Sequence, residues 1–413
     1  MKKVSLLVLP EGEPTDEFYR GLEANKEFIS EVLSPLQLNA DSSLNFRRVE
    51  GDFPTPGALR NALLKEAREE LVLFISTASH LEEDFIEELL ETYSSHPATI
   101  VFPNLIFSFK GQEEVKNYSN PYCSEVSLVA SLALEEHLPQ WGILAVREEL
   151  LNLGGFNEEL GDFDFYYFLY KNLRKLRLKL SELTYLRQEI RESFVDTSYR
   201  SYTLRELVLK EYDWRRELFP FLSWQENESA ALATAYTIVA ERLTAYLDLF
   251  NASDYLRNAL LKFHNQESLR RLVEVYRLMG LFDEARRLLE GGQVVDKEEA
   301  ERELRLTNQV EEAISELERA VEEGKPEEAL AAAVEFSAVY RGAPLYNLLG
   351  VLNWLGGEVN AAYNFFFKAV TMNPLNQDYL YNLTQLAKEF SREGEVLGLL
   401  NRLLGERVAL CKS

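Results

Sequence analysis

Cysteine is nearly missing from this chain. Its 413 residues include two, Cys123 and Cys411, and neither belongs to a Cys-x-x-Cys pair or to any zinc-ligand spacing. That argues against a disulfide framework and against structural zinc. Positive charge is also short: 44 Lys and Arg stand against 68 Asp and Glu, for a net charge of −24. A surface that negative repels phosphate backbones and anionic lipid, so nucleic acid and bare membrane are not expected partners. A small anionic ligand held by local donors remains compatible with it. Long apolar runs are the third lack. No stretch approaches the roughly 20 apolar residues of a membrane span. The run inside MKKVSLLVLPEGEP falls short of the roughly 7–15 residues of a signal-peptide core, and no small-x-small cleavage site follows it. It reads as a first strand, and the cytoplasm is the expected compartment.

What is present is the composition of a soluble globular protein, 46% apolar and 27% charged. The length predicts two or three domains. The first part alternates strand and helix patterns. Val4 to Leu9 is a continuous apolar strand. "TDEFYRGLEANKEFI" reads as a helix capped by Thr15, with Phe18, Leu22 and Phe28 among its apolar positions. "LNFRRVE" (44–50) is a second strand candidate and "GALRNALLKEAREE" (57–70) a helix. Leu71 to Ile75 is a buried strand, followed by the small neutral tip Ser76-Thr77-Ala78-Ser79-His80 and an acidic helix (82–93). Residues 98–109 read as two short strands around Pro103. Residues 141–156 read as strand, helix and glycine turn. Such alternation predicts an α/β layer with a largely parallel sheet.

From about residue 197 no convincing strand is found, and amphipathic helices dominate. Three segments share a frame in which a glycine precedes an alanine by five residues: Gly280/Ala285, Gly324/Ala329 and Gly357/Ala362. The segment from Ala343 to Pro374 resembles a tetratricopeptide repeat, with Tyr346, Leu349, Gly350, Gly357, Ala362, Phe366, Ala369 and Pro374 on signature positions. Asn353 departs from that pattern at an aromatic position. Close helix approach at Gly350 and Ala362, and termination at Pro374, are the physical content of the match. A degenerate unit follows from Gln377 to about Leu404. The expected boundaries are 1–195 for the α/β part, 196–265 for a helical linker or bundle, and 266–413 for repeats.

Order and spacing in residues 1–190 resemble the family-2-type nucleotide-sugar glycosyltransferases of the GT-A fold. Gly57, Arg60 and Asn61 match that family's Gly…Ala-Arg-Asn helix, and Leu71 to Ile75 its strand before Asp-x-Asp. Gly154, Gly155, Phe156 and Glu158 match its Gly-Gly-Phe-Asp-Glu turn. Asn157 replaces an aspartate there, and Asp162-Phe163-Asp164 take the place of its acidic motif. Val4 to Pro10 resemble the family's first strand. The resemblance implies a nucleotide-sugar site lined by Pro10, Arg60, Asn61, Ser76, Ala78 and His80. Asp52, with Glu50 beside it, is the nearest candidate for holding the nucleoside. It also implies catalytic carboxylates at Asp162, as general base, and Asp164. The plainer role for Asp162 is to cap the helix that follows.

One departure cuts against the implied chemistry. Ser76 and Ala78 stand where the family's paired aspartates bind a divalent cation through hard oxygens, and a hydroxyl and a methyl do not replace them. No dedicated metal ligand is therefore expected. Mn²⁺ or Mg²⁺ would need a non-standard site, and His80 suits Mn²⁺ better than Mg²⁺. Two functions stay open. The first is an inverting transfer of sugar from a nucleotide diphosphate sugar to a peptide, protein or glycan acceptor. The second is a catalytically silent homologue that acts as a scaffold through its repeats. Asn347, Tyr381, Asn382 and Gln385 are the expected peptide- or partner-binding positions on the repeat face, with homodimerisation as the competing use of that region.

Overall fold

The computed structural model describes residues 2–38, 43–109, 112–118, 139–159, 164–189, 209–291 and 296–404. The chain divides into two compact units. The first comprises residues 1–200 and 207–213, the second 201–206 and 214–413. The helices at 228–245 and 249–262 belong to the second unit.

Among the described residues, the first unit is built on one nine-stranded mixed sheet. Four strands run parallel: β1 (Val4–Leu9), β2 (Ile29–Ser34), β3 (Phe46–Arg48) and β4 (Leu71–Ser76), in the order β3-β2-β1-β4. Beyond β4 come β8 (Ile143–Val146), antiparallel to it, then β6 (Ile100–Phe109), β9 (Leu178–Glu189) and the two-residue β5 (Ser79–His80). The hairpin strand β7 (Gln112–Lys116) pairs with β6. Every residue of β1 and β4 is buried, as strands covered on both faces must be. The expected α/β layer is thus present. The block from β3 to β4 is parallel throughout; beyond it β8 runs antiparallel to both β4 and β6, β6 and β9 pair in parallel, and β5 and β7 are antiparallel additions.

Several element boundaries differ from those read in the sequence. Helix α1 (Asp16–Ala24) is capped by the Thr15 hydroxyl as expected but stops at Asn25. Phe28 is buried outside the helix, directly before β2, a strand missed in the sequence. Asn25 causes the stop: its side chain donates to the Gly21 and Glu82 carbonyls and accepts from the Ile86 amide, so it is tied to the next layer. Helix α2 (Pro56–Glu66) ends four residues early, and α3 (Phe85–Ser95) begins three residues late. β6 is a single strand and not two. Pro103 lacks an N–H, and the register against β9 shifts between Phe102 and Asn104. The Asn104 side chain bridges that irregularity by donating to the Glu182 carbonyl and accepting from the Tyr118 amide.

All regular elements of the second unit among the described residues are helical. Its best-formed hairpin pairs Ala343–Leu355 with Val359–Met372. A Cβ at Gly350 would lie 2.5 Å from the Phe366 ring, so glycine is what allows the two helices to close. Pro374 follows the second helix immediately after its C-cap, Asn373. The array also curls back on itself. Helix 266–279 packs on 343–355, and 249–262 on 359–372. Three side chains tie distant backbones. Tyr340 donates to the Arg277 carbonyl at 2.8 Å, Asn373 to Met279 at 3.0 Å and Asn251 to Leu403 at 2.8 Å. In a simple solenoid each repeat touches only its neighbours.

Candidate functional site

The four parallel strands end on one edge of the sheet, where α/β proteins of this layout place their ligands. This edge gathers Pro10 to Glu13 after β1, Glu50 to Asp52 after β3, and Ser76 to His80 at the end of β4. Pro10, Glu50 and Asp52 are exposed. The tip of β4 is different. Ser76, Thr77 and Ser79 are fully buried, and Ala78 is 1% exposed.

A polar network occupies that tip. The Gln188 amide nitrogen, on β9, donates to the Ser76 hydroxyl at 2.9 Å and to the Glu11 carboxylate at 2.7 Å. The Ser79 hydroxyl donates to the Gln188 carbonyl oxygen at 2.7 Å and accepts from the Ser76 amide at 3.0 Å. The Ala78 amide donates to the Ser76 hydroxyl at 3.1 Å. Thr77 donates to the Gly12 carbonyl and accepts from the Glu11 amide, at 2.9 and 2.8 Å. Gly12 has φ +85°, a left-handed turn that glycine adopts without strain. Opposite the tip, the Glu189 amide donates to the Ala78 carbonyl at 2.9 Å. The one hydroxyl at the positions of the family's paired aspartates, that of Ser76, accepts from both Gln188 and the Ala78 amide. The donor set does not fit a divalent cation: beside hydroxyl and amide groups it offers one carboxylate, Glu11, which already accepts from Gln188. Among the described residues no group of three or more His, Cys, Asp and Glu side chains is arranged to hold a metal.

His80 is half-buried in β5, paired with Arg187 in the ladder. It lies close enough to influence Glu17. That carboxyl is held below its ordinary value, first by the backbone N–H at the start of α1, with Arg20 and His80 adding to the effect. Arg187, the ladder partner of His80, is engaged by Glu113 and Glu82.

The second motif cluster forms an internal latch. Arg60 is 2% exposed, and its Nη1 contacts both Asp164 oxygens, at 2.5 and 2.6 Å. Trp141 and Phe156 flank the guanidinium, with ring centroids 5.2 and 5.7 Å away. Asn61 donates to the Phe156 carbonyl and the Glu158 carboxylate, both at 2.9 Å, and accepts from the Phe156 amide at 2.8 Å. Thr55, the cap of α2, donates to the Glu158 carbonyl at 2.8 Å. The glycines are needed for this contact. A Cβ at Gly57 would lie 2.1 Å from the Asn157 carbonyl oxygen, and one at Gly155 would lie 2.5 Å from the Asn61 side-chain oxygen. The two motifs that carry the resemblance therefore hold each other, and Asp164 faces Arg60 in the interior. Asp162 lies outside the described residues, as do both cysteines.

In the helical unit the structure brings Asn347 and Asn382 together. The Asn382 amide donates to the Asn347 carbonyl oxygen at 2.9 Å. Both are half-buried, as is Gln385, while Tyr381 is 63% exposed. Sequence reasoning missed Glu11 and Gln188. Gln188 left little local signal: buried positions alternate through Thr184, Leu186 and Gln188 as in a half-covered strand, but two of the three are polar.

No protein-family model matches the sequence, and no curated protein matches it. Among solved structures, the chain is similar to residues 1–349 of TarS from S. aureus in complex with UDP-GlcNAc. That match has 15% identity, covers 70% of this chain and 88% of that one, and has a TM-score of 0.39. A second likeness is to GalNAc-T7 with UDP, GalNAc and Mn2+, at 9% identity, 46% and 45% coverage and a TM-score of 0.35. Likenesses this distant assign no chemistry to the present chain.

Proposed function

We propose that this chain is a glycosyltransferase-type protein of GT-A layout that no longer handles a metal–diphosphate group at its strand tip and serves as a non-catalytic subunit, recruiting a protein partner through its helical unit. The burial of Ser76 to Ser79 in a closed hydroxyl–amide network carries this reading. A nucleotide-sugar enzyme needs that edge open, and needs positive charge where the diphosphate rests. Here the nearest network member from β1 is the Glu11 carboxylate, which opposes an anion. Arg60 and Asp164 neutralise each other in the interior, which supports a structural role for the retained motif residues. Exposed apolar side chains in the later helical hairpins, Leu355 and Tyr381 on helices and Leu375 in a turn between two of them, support a protein-contact role.

A second reading rests on a different observation. The turn from Gly154 to Glu158 and the helix starting at Asp164 keep the family's order, so a metal-independent inverting transferase with Asp162 as general base is its chemical form. In that reaction Asp162 would remove the proton of the acceptor nucleophile as it displaces the nucleoside diphosphate from the anomeric carbon. Calorimetry of the full chain against a panel of nucleoside diphosphate sugars, with and without Mn²⁺, together with an assay for released nucleotide, separates the two. The first reading expects neither saturable binding nor release. Turnover that falls by roughly 10²–10⁴ in Asp162→Asn, the usual worth of a positioned base, would establish the second.

A further inference from the structure

We infer that Gln188 is the bolt that keeps the β4 tip shut, a positioning residue whose side-chain amide ties the exit of β1 to the end of β4. The inference rests on the reading of the tip as closed and explains how closure is maintained. Three backbone segments meet there: the exit of β1 at Glu11 and Gly12, the end of β4 at Ser76 to Ala78, and β9. Gln188 ties them with its side-chain amide. One nitrogen donates to the Glu11 carboxylate at 2.7 Å and to the Ser76 hydroxyl at 2.9 Å, while the carbonyl oxygen of the same amide accepts from Ser79 at 2.7 Å. Both ends of the amide are used, so donor and acceptor alike contribute.

Placement makes the bolt rigid. Gln188 lies in a strand with neighbours on both sides, Ser79 of β5 across one ladder and Phe107 of β6 across the other. It is 3% exposed, so water does not compete freely for its partners. The bond to the Glu11 carboxylate is charge-assisted and is the strongest single contact in the set. A glutamate here would keep the shape and lose the donor. It would also set a second carboxylate against Glu11.

The test is hydrogen exchange on the full-length protein without ligand, comparing wild type with Gln188→Ala and Gln188→Glu. Both variants are expected to speed exchange of the amides at Glu11 and at Ser76 to Ala78 by about tenfold or more, the worth of one lost net hydrogen bond. Exchange in residues 343–372 should be unchanged in both. Ser79→Ala, which removes only the hydroxyl contacts, should give a smaller change in the same direction. If Gln188→Glu behaves like wild type, shape and packing hold the tip, and the inference is wrong. Unchanged protection at the tip in Gln188→Ala overturns it too. These readouts use no nucleotide, so they stand apart from the binding assay: wild-type protein that binds a nucleotide sugar would remove the closed-tip reading whatever the exchange result.

Discussion

At the scale of single residues, the informative groups are buried charges that hold one another. Arg60 and Asp164 are the clearest case. Removing one partner strands the other in a site with almost no water, which typically costs about 3–5 kcal/mol. Asp164→Ala should therefore lower the stability of the first unit by about that amount, measured by denaturant unfolding. A variant as stable as wild type would return Asp164 to the list of free catalytic carboxylates. Glu31 gives a pH-dependent case. Burial pushes its carboxyl up, but the Arg47 guanidinium, the Ser5 hydroxyl and the Arg68 amide outweigh burial and hold it below the ordinary carboxylate range. A depressed folded value means that stability is gained above the unfolded value, about 4.3, and lost as pH falls through the lower folded value. Glu31→Gln should thus lose stability at pH 7, by about 1–3 kcal/mol, and unfold with a shallower dependence on acid. Equal slopes in wild type and variant between pH 5 and pH 3, a window set around that unfolded value, would show that Glu31 is not the titrating group.

At the scale of elements, glycines separate two kinds of constraint. Gly350 has ordinary helical geometry but no room, since an added Cβ would meet the Phe366 ring. Gly357 has room but a left-handed backbone, with φ +83° and nothing within 4 Å. Gly350→Ala should cost about 1–3 kcal/mol by overpacking, and Phe366→Leu should recover part of it by vacating the ring's place. Gly357→Ala should cost about 1 kcal/mol through backbone strain, with no rescue by the same change. If Phe366→Leu rescues both or neither, the two glycines do not differ as described. This hairpin was legible in the sequence because its constraints are local: a glycine, an alanine and a proline at fixed spacing. The sheet was legible only in part. Apolar runs disclosed β1 and β4, which are buried on both faces. The strands β2 and β9 carry buried polar groups, Glu31 and Gln188, and such positions break the apolar pattern that marks a strand. The motif residues Arg60, Asn61 and Asp164 were likewise found by spacing, while their mutual pairing across about a hundred residues was beyond any local signal.

At the scale of the whole molecule, the helical unit raises the question of how far a local change is felt. A linear stack of repeats behaves as a chain of nearest-neighbour interfaces, and damage to one repeat leaves distant ones protected. Here the corner after helix 266–279 is held from far along the sequence. Tyr340 and Asn373 satisfy its last carbonyls, and the Gly280 position lies against Pro344. A helix end needs partners for its final carbonyl groups, and buried ones find no water to take over. Asn373→Ala would leave the Met279 carbonyl short of its donor. We expect it to reduce stability by about 1–3 kcal/mol. We also expect hydrogen-exchange protection to fall both around 343–372 and across 266–290, which lie more than fifty residues apart in sequence. A linear stack predicts loss only around the substitution and its neighbours. Protection that falls near Asn373 and stays intact across 266–290 would mean that the ends of the array do not support each other.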